Sequence, residues 1–425
     1  MKYVVLGLGI SGQGAVNLLK SKKLDFIIVD DKKAIKSVDA IELIEKEDII
    51  VKSPGISWAN PLLSYAIKNG IRIISEIDLA LDYLDKKTKI IAITGTNGKT
   101  TIVTKIYELL NFVGFKASLG GNEGHSLCDI VIDSNIYDYI VLELSSYQLE
   151  NNPKIKPYIA LITNLTPDHL TRYNSVMDYY LTKFNIFKNQ DENDYMIIDK
   201  NEKMVNSLLN QKFLAKKIYI ENKGENLVYE NEVIIAKKDM LLKGEHNAIN
   251  MLFLIAVAKI IGISSKKIEK FLKIAKSLEH RIEEFFVKEN THFINDSKGT
   301  NVESSLVALD SFKGSKVYLI VGGKDKKIDN TKLYEKIYEI NAIPLIIGEN
   351  KLEFTKEFNK TGYKHYVLDN LENVMEFIKN NIDFKEEQYI LLSPATSSFD
   401  QFNSFEHRGK VFKQLVISNF GEKNE

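Results

Sequence analysis

The chain has one cysteine, Cys128, in 425 residues. No intrachain disulfide can form, which fits a reducing compartment and removes a disulfide framework from consideration. No apolar run reaches the ~18 residues of a membrane-spanning helix. The longest, MLFLIAVAKIIGI at 251–263, is interrupted by Lys259 and predicts a buried helix instead. Neither sign of charge is in excess: 57 basic residues face 57 acidic ones, for a net charge of zero. A balanced chain offers no general polyanion-binding surface, so nucleic acid is not an expected partner. Arginine is scarce. Only Arg72, Arg172, Arg281 and Arg408 occur among the 57 basic residues. Lysine is the default cation here, so an arginine hints at a place that wants a planar, multidentate donor. The opening MKYVVLGLGISG has no small-residue cleavage pattern and runs straight into glycines. It reads as a first core strand rather than a signal peptide, and the expected location is the cytoplasm.

What is present is a rhythm. Short apolar runs alternate with helix-length amphipathic stretches. The runs include YVVL (3–6), FIIVD (26–30), DIIVK (48–52), IRIIS (71–75), KIIAIT (89–94), YIVLEL (139–144), ALITNL (160–165), YMIID (195–199), VYLIVG (317–322), PLIIG (344–348) and YILLS (389–393). Alternation of this kind predicts an α/β fold with mostly parallel sheets. Charged breaks at DKKTK (85–89) and near SLEHRIEEF (277–285) suggest three domains, 1–86, 87–277 and 278–425.

Two glycine loops carry phosphate chemistry. GLGISGQG (7–14) places Gly7, Gly9 and Gly12 in a G-x-G-x-x-G pattern after a strand and before a helix, and Asp30 ends the next strand. That spacing suits a nucleotide or dinucleotide, and a nicotinamide-dependent oxidoreductase is one reading of it. AITGTNGKTT (92–101) is a shortened P-loop. Ile93 stands where the first glycine of the full motif would be, and the glycine falls at 95. Gly95 and Gly98 can still present backbone N–H groups, Lys99 can reach phosphate oxygens and Thr100 can hold Mg²⁺. A helix over 99–112 would aim its N-terminus at the anion.

Later blocks follow predicted strands. ELSSYQLE (143–150) puts Glu143 at the end of one, where a metal ligand or base is expected. TNLTPDHLTRY (163–173) carries Asp168 and His169 just beyond another. Around YYLTKFNIF, helical spacing draws an apolar stripe through Met177, Tyr180, Leu181, Phe184 and Phe187, with Lys183 beside it. By spacing alone Lys183 is a snorkelling surface lysine. Near the end, NDSKGTN (295–301), VGGKDKK (321–327) and SPATSSFDQFNSFEHRGKVF (393–412) each follow a strand. Such loops converge in an α/β sheet, and a crevice rich in Thr, Lys, Ser and Arg suits a small polyanion.

Taken together the blocks resemble the Mur ligase family. GTNGKTT is similar to the family's short phosphate loop, and ELSSYQLE, TNLTPDHL, HRIE, NDSKGTN and SPATSSFDQF…FEHRG follow in the family's order over essentially the whole chain. The last two blocks favour the members that add D-glutamate to UDP-N-acetylmuramoyl-L-alanine. Two positions depart from the family's usual pattern, Glu123 in GNEGHSL and Asn174 after the histidine loop.

The resemblance implies a Rossmann-like N-terminal domain for the UDP moiety, a central P-loop ATPase-type domain with a parallel sheet, and a Rossmann-like C-terminal domain for the amino acid. It implies an ATP-dependent amide ligase acting through an acyl phosphate, with two Mg²⁺ ions and a monomeric enzyme. Gly95, Thr96, Asn97, Gly98, Lys99, Thr100 and Thr101 would cradle ATP, with Asn247, Asn250, Arg281 and Asp296 on the adenine nucleotide. Thr100, Glu143, His169 and Lys183 would serve the metals, Lys183 as a carbamylated lysine. Lys99, Glu143, His169 and Lys183 would carry catalysis. Ser11, Gly12, Asp30, Gly55, Asn122 and Ser145 would face the UDP substrate, and Thr300, Lys326, Ser398, Phe399 and Phe405 the D-glutamate. Competing readings are a sister ligase such as a folylpolyglutamate synthase, the oxidoreductase above, and a nucleotide-binding regulator without turnover.

Overall fold

The computed structural model describes every residue except 133–135, 152, 168–171, 210–212, 243, 325–328 and 422–425. The chain forms two compact units, residues 1–240 with 247–275 and residues 241–246 with 276–425.

The first unit is built on two open parallel sheets. β1 (Tyr3–Leu6), β2 (Phe26–Val29), β3 (Ile49–Lys52) and β4 (Arg72–Ser75) lie in the order β2-β1-β3-β4, all pairings parallel. Their Val- and Ile-rich runs suit a sheet covered on both faces. β3 is buried at every position, Lys52 included. Six more strands follow: β5 (Lys89–Thr94), β6 (Ala117–Gly121), β7 (Tyr139–Glu143), β8 (Ile159–Ile162), β9 (Tyr195–Asp199) and β10 (Lys216–Ile220). They pair in the order β10-β9-β8-β5-β7-β6, again parallel throughout. The chain leaves β5 for β6 and β7 on one side and crosses to β8 on the other. The carboxyl end of β5 is therefore a topological switch point, where open α/β sheets bind ligands. β11 (Asn226–Tyr229) and β12 (Glu232–Ala236) add an antiparallel hairpin. The expected helix at 251–263 is present as Glu245–Ile260, buried without a break from Asn250 to Ala258. Among the described residues no helix is long and apolar enough to cross a membrane.

The second unit holds β13 (Glu283–Lys288), β14 (Thr291–Asn295), β15 (Lys316–Val321), β16 (Ile343–Ile347), β17 (Tyr366–Asp369) and β18 (Gln388–Leu392). Their order is β13-β14-β18-β15-β16-β17. Only the β13–β14 hairpin is antiparallel. β18 slots between β14 and β15, so the loops after these three strands share one end of the sheet.

Within the first unit the two sheets share a core. Helices Ile10–Ser21 and Glu76–Leu81 pack on helix Leu127–Ile132, burying Ala15, Leu18, Leu79, Leu127 and Cys128 together. Glu76 lies in this contact, buried, accepting the Leu127 N–H at 3.3 Å. Burial pushes its carboxyl up to about 7, against the lowering effect of that bond and of the Ser11 hydroxyl. A raised carboxyl keeps its proton in the fold after the unfolded chain has lost it. Its contribution is complete below the ordinary glutamate range and is lost as pH rises toward about 7. We expect this one group to cost on the order of 3 kcal/mol of stability across that window. Calorimetric melting from pH 5 to 8 should therefore slope less steeply for Glu76→Gln than for the natural chain; equal slopes would contradict the assignment.

Candidate active site

At the carboxyl end of β5 the chain turns through residues 95–98 into helix Lys99–Phe112. That helix starts on Gly98 with no side-chain cap, as helix Ile10–Ser21 starts on Gly9. Their neighbours Glu76–Leu81 and Ser146–Leu149 instead carry full capping boxes from Ser75 and Ser145. Uncapped N-termini leave their leading N–H groups for an anion. Gly95 sits at φ +140°, and a Cβ there would fall 1.9 Å from Thr163 Oγ1. Only glycine allows that approach.

The loop's shape is imposed from the next strand. Thr163 Oγ1 donates to Asn97 O at 2.6 Å, and Asn164 Nδ2 donates to the same oxygen at 3.1 Å. Asn97 N donates to Asn164 Oδ1 at 3.0 Å, and Thr96 N to Asn164 O at 2.9 Å. Lys99 Nζ folds back to Thr96 O at 2.7 Å. Asn250 Oδ1 stands beside Gly98, 2.6 Å from where a Cβ would be, and Asn247 lies one helical turn away with its Oδ1 3.5 Å from Asn250 Nδ2. Thr101 is buried on the helix behind the loop.

Glu143, at the end of β7, is buried. One carboxylate oxygen accepts from Thr100 Oγ1 at 2.8 Å and the other from Asn122 Nδ2 at 2.8 Å. Both partners are uncharged. A buried carboxylate whose hydrogen-bond partners among the described residues are both neutral, against a phosphate loop, fits a divalent cation bound between Thr100 and Glu143. Lys183 is buried as well. Its Nζ donates to Gly95 O at 2.8 Å and lies 4.6 Å from the centre of the Tyr179 ring. The snorkelling reading from spacing is therefore corrected. So is the stripe: Met177 and Leu181 are 43% and 38% exposed, while Tyr179, Tyr180, Lys183 and Phe184 are buried. The helix, Val176–Phe184, is only nine residues long, and its buried face is turned toward the phosphate loop. His169 and Asp168 lie outside the described residues.

The first glycine loop is equally constrained. A Cβ at Gly12 would fall 1.8 Å from Gly7 O. Asp30 accepts from Leu8 N at 2.8 Å and from Lys32 N and Lys33 N at 3.0 Å each, and these backbone donors hold its carboxyl below the usual range. Asp30 thus fixes the loop. Ser11 is half-buried and Gly55 exposed in the adjoining turn after β3. Ser145, half-buried, caps helix Ser146–Leu149.

In the second unit the three loops after β14, β15 and β18 are tied together. Asp296 accepts from Ser393 Oγ at 2.7 Å and from Ile282 N at 3.2 Å. Burial pushes its carboxyl up to about 7, opposed by the Ser393 hydroxyl and by the charges of Arg281 and Arg408. Gly322 N donates to Pro394 O at 3.0 Å and Lys324 N to Ser397 O at 2.9 Å. Arg408, buried, donates to Ser297 Oγ at 3.0 Å, Ser297 O at 2.8 Å and Thr396 O at 3.2 Å. Burial lowers it to about 10. Arg281 is flanked by His280 and Ile282, both at left-handed φ of +63° and +44°. A β-branched residue in that region is a strained position. Ser398 is buried, Thr300 and Phe405 are half-buried, and Phe399 is 70% exposed. Lys326 lies outside the described residues.

Residues 93–258 match the model of the Mur ligase middle domain, and residues 1–75 that of the Mur ligase MurD-like N-terminal domain. The chain belongs to the Mur ligase family. A UDP-N-acetylmuramoylalanine–D-glutamate ligase of Fusobacterium nucleatum is 44% identical over 99% of this chain and 100% of its own length. One of the same name from Natranaerobius thermophilus is 34% identical over 99% of both chains. Among solved structures, the UDP-N-acetylmuramate–alanine ligase MurC of Thermotoga maritima matches with a TM-score of 0.62 at 16% identity, covering 98% of this chain and 99% of its own. A UDP-N-acetylmuramoylalanyl-D-glutamyl-2,6-diaminopimelate–D-alanyl-D-alanyl ligase from Acinetobacter baumannii matches with a TM-score of 0.59 at 16% identity, covering 95% and 98%. The oxidoreductase reading of the first glycine loop gives way, since that segment is the family's N-terminal domain.

For a Mur ligase, the structure brings Gly95 to Thr101, Asn122, Glu143, Lys183, Asn247 and Asn250 around one phosphate loop. Sequence reading passed over Thr163, Asn164 and Tyr179. The first two lie within TNLTPDHL, where a threonine and an asparagine after a strand carry no signal beside the aspartate and histidine that follow. Asn164→Ala removes both side-chain bonds to Asn97. It should weaken binding of a non-hydrolysable Mg-ATP analogue about tenfold by titration calorimetry. Unchanged affinity would mean that the loop holds its own shape.

Proposed function

We propose that the chain is an ATP-dependent ligase that joins D-glutamate to UDP-N-acetylmuramoyl-L-alanine in the synthesis of peptidoglycan precursors. The observation that carries this reading is the buried Glu143 between Thr100 and Asn122 at the phosphate loop, in a chain 44% identical over its length to a ligase of that name. The domains are 1–86 for the UDP substrate, 87–277 for ATP and 278–425 for the amino acid.

The substrate carboxylate is a poor acyl donor. Its oxygen attacks the γ-phosphorus of ATP, ADP leaves, and an acyl phosphate forms. The amine of D-glutamate then attacks the acyl carbon and loses a proton, and phosphate departs with the C–O bond. Two anions must meet in the first step, so opposing charge has to be placed beforehand. The backbone N–H groups of residues 98–100, at the uncapped start of the helix, and the Lys99 ammonium receive the phosphates. Thr100 and Glu143 would hold Mg²⁺, which when bound would neutralise charge on the transferring group. His169 and a carbamylated Lys183 would serve a second ion. Asn122 and Ser145 line the path of the acyl end, and Ser11, Gly12, Asp30 and Gly55 take the UDP end. Asn247, Asn250, Arg281 and Asp296 bind the adenine nucleotide. Thr300, Lys326, Ser398, Phe399 and Phe405 hold D-glutamate.

Phosphate release from Mg-ATP should require UDP-N-acetylmuramoyl-L-alanine and D-glutamate together. L-glutamate or a diamino acid should not replace D-glutamate. Release with another amino acid alone would keep the ligase and change the acceptor; no release with any acceptor would leave a nucleotide-binding protein. For Lys183, ¹³CO₂ should give a carbamate NMR signal that Lys183→Met lacks, and an identical spectrum from both proteins would remove the carbamate.

A further inference from the structure

We infer that Arg172, held by Glu150, is a positioning residue that clamps the substrate turn Ser53–Ile56 of the first sheet against the central sheet. The inference rests on the reading of that turn as part of the UDP-substrate site.

Arg172 Nη2 donates to Pro54 O at 3.2 Å and to Ile56 O at 3.0 Å. The same guanidinium pairs with Glu150 Oε1 and has its Nε 3.4 Å from Glu150 Oε2. Its face lies on the Tyr147 ring, 4.9 Å from the centre. The two carbonyls belong to one tight turn, closed by Ile56 N donating to Ser53 O at 3.1 Å. The turn in turn abuts the first glycine loop, because Ser53 Oγ donates to Gly7 O at 2.9 Å. Glu150 follows helix Ser146–Leu149, which starts from the Ser145 cap two residues beyond Glu143. One side chain therefore ties the turn that bears Gly55 to the strand end that bears Glu143.

Chemistry explains why this is one of the chain's four arginines. Nη2 alone faces both carbonyls and one carboxylate oxygen, while Nε meets the other carboxylate oxygen and the flat guanidinium lies on Tyr147. A lysine ammonium offers one nitrogen and no planar face, so it cannot keep the second carboxylate bond or the stacking. Lys52 completes the cluster. It has no exposed surface, and its Nζ is 3.6 Å from Glu150 Oε1 and 4.9 Å from the centre of the Trp58 ring. Glu150 thus sits between two cations, and removing it would leave the fully buried Lys52 and the half-buried Arg172 facing each other. Trp58 is the chain's only tryptophan, two residues past the turn and 39% exposed. It reports on the turn directly.

The test uses the full chain and its Arg172→Met, Arg172→Lys and Glu150→Gln variants. Trp58 fluorescence is titrated with UDP-N-acetylmuramoyl-L-alanine, and KM is measured for each of the three substrates. A clamp predicts that Arg172→Met raises KM for the UDP substrate about tenfold or more, with KM for ATP within about twofold and kcat lowered less than KM is raised. Arg172→Lys, which keeps the charge for Glu150 but loses the Nε bond and the stacking on Tyr147, should recover only part of the loss. It decides the matter if the methionine variant does not fold. Glu150→Gln should move the same KM in the same direction. A UDP-substrate KM unchanged in Arg172→Lys and Glu150→Gln, or a uniform loss across all three substrates, would overturn the inference alone. If the natural chain gives no saturable Trp58 response and no turnover with this substrate, the functional reading fails and takes the inference with it.

Discussion

Glu143 buries its carboxylate at the end of a central strand, between the hydroxyl of Thr100 and the amide of Asn122. Both partners, the ones found among the described residues, are neutral, and a carboxylate so withdrawn from water is stable when a cation completes its surroundings. That constraint orders its neighbours. The phosphate loop must end beside it, so that the first helical threonine reaches its oxygen. β6 must end beside it too, so that Asn122 can follow. Both strand neighbours deliver their ends to one point because β5, β7 and β6 are parallel and adjacent.

The loop itself shows the same economy. Thr96 N and Asn97 N are committed to Asn164, and Thr163 and Asn164 hold the Asn97 carbonyl from the strand on the other side, which leaves the amides of residues 98–100 for phosphate. Lys183 reaches in from a short helix to the first glycine's carbonyl. The site is a meeting of four strand ends, those of β8, β5, β7 and β6, and its precision comes from the sheet rather than from the loop.

How much of this was legible beforehand follows from where the signal lies. Strands made of continuous Val and Ile, such as Tyr139–Glu143, were readable because burial on both faces leaves no polar alternation to blur them. β6 was not: Ala-Ser-Leu-Gly-Gly has little strand propensity and is placed by its partner β7. β10, at the sheet edge, is absent from the runs read as strands because two exposed lysines and an exposed tyrosine break its apolar pattern. The glycine loop, Glu143 and the convergence of the C-terminal loops were visible as residue types in order after strands. The face of helix Val176–Phe184 was not. Its hydrophobic residues run around most of the circumference, so spacing alone chose Met177 and Leu181 for the core and left Lys183 outside. The first and central sheets were read as separate domains, and the core they share rests on small helix contacts that no local pattern announces.

In the proposed reaction the substrate carboxylate is activated by phosphorylation at the glycine loop. UDP-N-acetylmuramoyl-L-alanine carrying ¹⁸O in both carboxylate oxygens tests it most directly, with the released phosphate analysed by mass spectrometry. The account predicts one ¹⁸O in phosphate for each amide formed. Phosphate that carries no label while the amide still forms would contradict it.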